Sequence, residues 1–280
     1  MSKSLVINSS HYIVGSNNTF LYRFPNTVHF DVGSAIGVQS LSIYNSTFNI
    51  EQRRGNNTLQ ILWLGTTYNI LIDDGYYSVS DINFKIQQFC ILNNLYLLSN
   101  NGNNIIYYVE LVTNSVRYSV QLNLYAIPSQ AQATALGYTQ PPNATWTFPV
   151  IQITPQLNVI SQSFGNLIGF VFGTYPLTAQ NTTQNFLSTL TPIISPINSY
   201  ILTCNLLNSK YSIPNNTFYS IPINGSLGTL LSTNISTIVY NAINPQFYNE
   251  IVISFYDQYF NPLILHDFDL TLTLAIKESV

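Results

Sequence analysis

The stretch Asp269-Leu270-Thr271-Leu272-Thr273-Leu274-Ala275-Ile276 alternates apolar and more polar or smaller side chains one by one. Successive side chains of a strand point to opposite faces, so Leu270, Leu272, Leu274 and Ile276 line one buried face. Ahead of it, Ile251, Ile253 and Phe255 line one face of another strand, and the link Asp257-Gln258-Tyr259-Phe260-Asn261-Pro262 has turn residues at both ends. The same period appears upstream. Val116, Tyr118, Val120, Leu122 and Leu124 alternate with Arg117, Ser119, Gln121 and Asn123. Thr113-Asn114-Ser115 joins that run to Ile105–Val112 as a hairpin. Weaker runs near 19–24, 36–44, 59–63, 68–72, 164–172, 199–207 and 217–222 bring the total to roughly ten strands at irregular spacing. This pattern predicts an all-β sandwich or jelly roll.

One segment departs from it. Ser78 with Asp81 three residues on makes a capping box, Ile82, Ile86, Phe89 and Cys90 follow at helical spacing, and Asn93-Asn94 makes a stop. The spacing predicts one amphipathic helix over about 79–92, packed over the sheet. Between 126 and 160, Pro128, Pro141, Pro142, Pro149 and Pro155 interrupt every run, which reads as a long loop or arm with at most short strands. A second Pro-rich stretch, Thr191-Pro192-Ile193-Ile194-Ser195-Pro196, precedes the strand at Tyr200. The expected organisation is a single jelly-roll-based subunit over 1–280. Its Pro-rich arm or insertion lies around 126–198 and has room for a small inserted β subdomain.

Composition narrows the function. Charged residues make up 7% of the 280, against about 25% in an ordinary domain. Eight Lys+Arg against eleven Asp+Glu give a net charge of -3. Eight scattered cations cannot track a phosphate backbone, which argues against nucleic-acid binding. A chain that is 46% hydrophobic, with 20 Tyr and 16 Phe, has ample material for a core, which argues against disorder. Asn supplies about an eighth of the residues, and Ser, Thr, Gln and Tyr make up most of the other polar positions. Neutral polar groups cost far less to bury in a protein contact than ions do, so such a surface suits extensive association. A skewed genome would also enrich Asn, Ile, Tyr and Phe, but it would raise Lys with them, and Lys is scarce.

Other signals are weak. The start turns polar after Leu5-Val6-Ile7, too soon for a signal-peptide core, and no window approaches the ~18–20 apolar residues of a membrane span. Two cysteines make no disulfide framework; Cys90 falls on a helical apolar face and Cys204 in a strand, as small buried hydrophobes do. Sequons such as Asn8, Asn45, Asn143 and Asn234 are no more frequent than chance gives in so Asn-rich a chain.

Few residues offer chemistry. His11, His29 and His266 stand far apart, outside any metal or hydrolase motif. In His266-Asp267-Phe268-Asp269, Asp267 and Asp269 face one way in a strand, where they either meet a hard cation or sit solvated at the sheet rim. Asp73-Asp74-Gly75 reads as a turn before the helix, with Gly75 in the permissive backbone conformation. Gly165, Gly169 and Gly173 read as a strand whose glycines allow bulges or close packing, since the phosphate-loop Lys and Ser/Thr are missing. Arg53-Arg54 is either an anchor for an acidic partner or a loop tip, and Trp63 and Trp146 are core or interface residues. No catalytic, cofactor-binding or metal residue is assigned, and enzymatic function has no positive support.

Several segments carry a resemblance. Phe20-Leu21-Tyr22-Arg23-Phe24-Pro25, followed by Val38-Gln39-Ser40-Leu41-Ser42-Ile43-Tyr44-Asn45-Ser46-Thr47-Phe48-Asn49-Ile50, resembles the opening of minor capsid (penton) proteins of virophages and polinton-like viruses. Asp74–Asn83, Gly137-Tyr138-Thr139 with Trp146, Ser199–Leu206 leading to Lys210–Pro214, and Ile253–Gln258 running to Leu270-Thr271-Leu272 are similar in character. The resemblance implies a jelly-roll virion subunit that forms a homopentamer, plugs the fivefold vertices of an icosahedral shell, and meets the major capsid protein there. It also implies assembly in the host cytoplasm or a virus factory, and it offers no catalytic residues. Two rivals stand beside it: a secreted β-sandwich adhesin or lectin, and a trimeric receptor-binding knob of a viral particle.

Overall fold

The structure is a computed structural model that describes residues 2–99, 102 and 104–279. It divides into two compact units, one running to Phe48 and resuming at Ile197, the other spanning Asn49–Pro196. The first opens with β1 (Ser2–Asn8), β2 (Thr19–Phe30) and β3 (Ala35–Tyr44). The second holds β4 (Thr58–Trp63), β5 (Thr66–Leu71), α1 (Val79–Leu92), β6 (Leu97–Ser99), β7 (Asn104–Ile106) and β8 (Val109–Asn114). It continues with β9 (Ser119–Leu124), α2 (Gln130–Leu136), β10 (Gln156–Val159), α3 (Gln162–Ile168), β11 (Gly173–Tyr175) and β12 (Gln184–Leu187). The first unit then resumes with β13 (Ser199–Cys204), β14 (Thr217–Pro222), β15 (Leu230–Asn234), β16 (Asn241–Ala242), β17 (Gln246–Tyr256) and β18 (Leu270–Lys277).

In the first unit, β1-β18-β3-β15 form one sheet, with the short β16 also paired to β3, and β14-β13-β17-β2 form another. All these pairings are antiparallel. Leaving β16 aside and counting the strands in chain order, the sheets read 1-8-3-6 and 5-4-7-2. That is the double Greek key of a jelly roll. Neighbours in the first sheet run in opposite directions, so the ends of β1 and β3 and the starts of β15 and β18 share one end of the roll. The connections 9–18, 223–229 and 257–269 gather at that end, and the chain leaves there after Phe48 and returns at Ile197. The connections 31–34, 205–216 and 235–245 gather at the other end.

The inner faces make the core. Leu270, Leu272, Leu274 and Ile276 meet Ile251, Ile253, Phe255, Tyr200, Leu202 and Cys204 there, all buried. Tyr200 brings a hydroxyl into this apolar layer and donates it to Asn45 Oδ1 at 3.0 Å, which removes most of the cost of burying it. Strand β2 is longer than the expected 19–24, running through Pro25 to Phe30. Pro25 falls where the pairing of β2 with β17 shifts register between Arg23 and Val28, so the ladder does not need the N–H that proline lacks.

The second unit has its own core of Trp63, Ile82, Ile86, Cys90, Leu122, Phe164 and Phe170 among others. Its sheets are β11-β10-β4-β5 and β12-β9-β8, with β6-β7 as a separate pair. Helix α1 coincides with the expected span. Ser78 and Asp81 form the capping box, and Val79, Ile82, Ile86 and Cys90 are buried. The expectation of one helix is corrected, because α2 and α3 are also present. In α2, Ser129 and Gln132 make a second capping box, and Gly137 ends the helix at φ 71°. The hairpin is also shorter than expected. Val116 is fully exposed and Tyr118 has φ 49°, so both belong to the turn at 115–118, and β9 starts at Ser119.

Candidate functional site

The glycine-rich segment is the clearest correction. Residues 164–168, expected to begin a strand over 164–172, belong instead to α3, with Phe164, Leu167 and Ile168 at helical spacing on its buried face. Gly169 ends that helix at φ 76°, and a Cβ there would collide with the Leu190 carbonyl oxygen. Gly165 sits inside the helix, where a Cβ would collide with the Phe170 carbonyl oxygen. The first two glycines are needed for close packing and a cap. They shape no ligand loop.

The acidic pairs are held by local hydrogen bonds. Asp269 accepts the Ser9 hydroxyl at 2.8 Å, and Asp267 accepts the Asp269 amide at 2.8 Å, which fixes the turn that opens β18. Asp74 accepts the Gln52 amide at 2.6 Å, and Asp73 lies 3.5 Å from Lys85 Nζ. Gly75 does not take a positive φ, contrary to expectation. It pairs as a bridge with Ile50, and a Cβ would meet the Tyr77 ring at 2.8 Å. Arg53 and Arg54 turn back on Glu51, a carboxylate only 1% exposed, at 3.6 and 2.5 Å. Two cations beside one buried anion offset its loss of hydration, an internal role for the only adjacent basic pair.

The histidines have separate neighbours. His11 lies 5.3 Å from the Tyr22 ring, His29 lies 3.2 Å from Asp31, and His266 stacks on Phe48 at 3.7 Å. Among the described residues no group of three or more His, Cys, Asp or Glu could hold a metal ion. Burial pushes the thiols of Cys90 and Cys204 up to about 12, so both are neutral, unreactive thiols at physiological pH. Trp63 is buried in the second core, and Trp146 packs edge-on against it at 5.4 Å.

The surface of the roll is more distinctive than any side-chain cluster. Across the outer face of the first sheet, the row Val6–Thr273–Ser40–Asn234 and the row Asn8–Thr271–Ser42–Ser232 contain no ionisable group. On the other sheet, the row Thr217–Thr203–Ser254–Thr19, in which Thr203 is buried, is equally neutral, and Arg23 with Glu250 at 3.9 Å adds one cross-strand ion pair. At the end formed by 31–34, 205–216 and 235–245, Val32, Tyr211, Ile213 and Val239 are 81%, 99%, 94% and 74% exposed. Charge is what normally makes such a surface costly to dehydrate, and here it is nearly missing. The composition signalled this low charge. It did not reveal that the neutral residues form continuous rows.

A two-sheet jelly roll with a compact unit between its third and fourth strands falls in the architectural class of viral capsid and lectin domains. No family model matches the chain, and no curated protein matches it. Among solved structures it is similar along its whole length to the mavirus penton protein, with 12% identity, a TM-score of 0.41 and 100% of both chains covered. It is also similar to a chain of the Sputnik virophage, solved by cryo-EM, with 11% identity, a TM-score of 0.38, and 99% of this chain and 98% of that one covered. The fold assignment itself stands on the strand order.

Proposed function

We propose that this chain is a structural virion protein, a penton subunit that forms a homopentamer and closes the fivefold vertices of an icosahedral capsid against the major capsid protein. The reading rests on one observation: the jelly roll's outer sheet faces present continuous rows of neutral side chains. A ring is built from a heterologous contact repeated around an axis, so each subunit must supply two different complementary surfaces. Obligate contacts of this kind bury large areas and are depleted in Lys and Glu. The four sheet edges, β1, β15, β2 and β14, are a pairing hazard in a chain with few Lys residues, and assembly is one way to cover them. On this reading the chain works by docking and carries out no reaction. Assembly takes place in the host cytoplasm or a virus factory. Among the described residues no helix is long and apolar enough to cross a membrane.

Sedimentation of the purified chain, followed by imaging of the particles, tests it. Five copies in a closed ring support the reading. Three copies favour the receptor-binding knob, and a monomer at high concentration overturns the proposal.

A further inference from the structure

A cavity of about 640 Å³ opens in the second unit where the β7–β8 junction, the end of β9 and α2 come together. This is the size range of small-molecule sites. The Tyr125 amide donates to the Tyr108 carbonyl at 3.0 Å, tying the residues after β9 to those before β8. Tyr107, Tyr108 and Tyr125 therefore face one cavity, and Tyr138, just past the α2 cap, completes its aromatic lining.

Tyr108 is the informative residue. It is 4% exposed, and its ring packs edge-on against Trp63 at 5.9 Å. Its hydroxyl makes no hydrogen bond to any described residue, although it lines the cavity and feels the Tyr138 phenol electrostatically. Burial drives the Tyr108 phenol far above its ordinary range, so it stays a neutral O–H able both to donate and to accept. The ring is buried while the hydroxyl opens on the cavity, so a ligand hydroxyl can take the place of the water it would otherwise bind. Around it the amides are fixed: Gln132 donates to Gln152 at 3.1 Å, and Gln152 donates to the Asn181 carbonyl at 2.7 Å. Tyr125 donates to Glu110 at 2.9 Å, which holds its ring in place. The lining contains no ionisable carboxylate, amine or guanidinium.

We propose that this cavity binds one neutral pyranose unit of an oligosaccharide. The tyrosine rings take the apolar C–H face of the sugar, and the hydroxyls and fixed amides take its ring hydroxyls. A phosphate, sulfate or carboxylate ligand would find no counter-charge. A proline-rich peptide also suits aromatic grooves, but its prolines offer acceptors without donors and leave half of this polar lining unused. The inference concerns the second unit alone and is independent of the number of copies in an assembly.

The test is titration of the full chain with maltotriose, mannotriose, chitotriose, lactose, 3′-sialyllactose and decaproline, followed by NMR. At least one neutral saccharide is expected to bind with a dissociation constant in the millimolar range or tighter. Tyr108→Phe and Tyr125→Ala should each weaken it about tenfold or more, and Tyr211→Ala, on the first unit, should leave it unchanged. Tyr125 is partly exposed, so its variant carries the test if Tyr108→Phe fails to fold. The proposal is overturned if no neutral saccharide binds at about 10 mM. It is equally overturned if only sialyllactose or decaproline binds, or if folded variants bind as the parent does.

Discussion

The two units solve the same problem with opposite wiring. In the first, strands far apart in sequence lie side by side: Ser2 pairs with Lys277, Asn8 with Thr271, and Glu250 with Arg23. In the second, most partners are close along the chain, as in β4 with β5 and β8 with β9, and three helices add contacts that are local by construction. Distant pairing must meet loop-closure entropy before it gains contacts, so the roll should form slowly and the 49–196 unit quickly. Each unit has a core of its own, so each should open on its own terms.

One buried thiol in each unit gives the means to test this: Cys204 reports on the roll and Cys90 on the second unit. The largest effect is expected from Phe255→Ala, which removes a fully buried ring and should cost about 3–5 kcal/mol. Thiol labelling should then accelerate at Cys204 and leave Cys90 protected. Equal acceleration at both would show that the units open together. Gly169→Ala reverses the pattern, because a Cβ at φ 76° against the Leu190 carbonyl should cost roughly 1–3 kcal/mol and expose Cys90 first. Alkaline pH acts on both. Each thiol is raised from 9.0 to about 12, so its contribution is fully present below pH 9.0 and is lost as pH rises towards 12. The loss should be roughly 1–2 kcal/mol per thiol near pH 10, read as a fall in Tm that Cys204→Ala flattens for the roll alone. Ser78→Ala is the smallest: it removes the α1 cap and should lower only the second unit's stability, by about 1 kcal/mol in denaturant titration.

What the sequence revealed follows the same division. Strands with strict alternation, such as β18 and β17, and the capped helix α1 are local patterns, and they were legible. Helices α2 and α3 carried the same signals, Ser129 with Gln132 and Gly137, and Ser161 with Gly169. Neighbouring prolines masked the first, and an aromatic, glycine-spaced run masked the second. Reading caps before composition would have found both. The order of the strands and the boundaries at Phe48 and Ile197 depend on contacts between distant parts of the chain, and no local pattern records them. At the tyrosine cavity, four rings spaced from 107 to 138 become neighbours only through the β8–β9 hairpin and α2. No window of the sequence groups them.

Of the roll's strands, β17 and β18 come latest along the chain, and each sits inside its sheet, flanked on both sides by strands made earlier. While the ribosome is still upstream of Gln246, β1 and β3 have no common neighbour, and β2 lacks its only partner. The nascent polypeptide must therefore carry two incomplete half-sheets, with 49–196 already emerged, for as long as elongation through Lys277 takes. That interval is of order seconds, and it is when a chaperone or a second nascent copy would have most to bind.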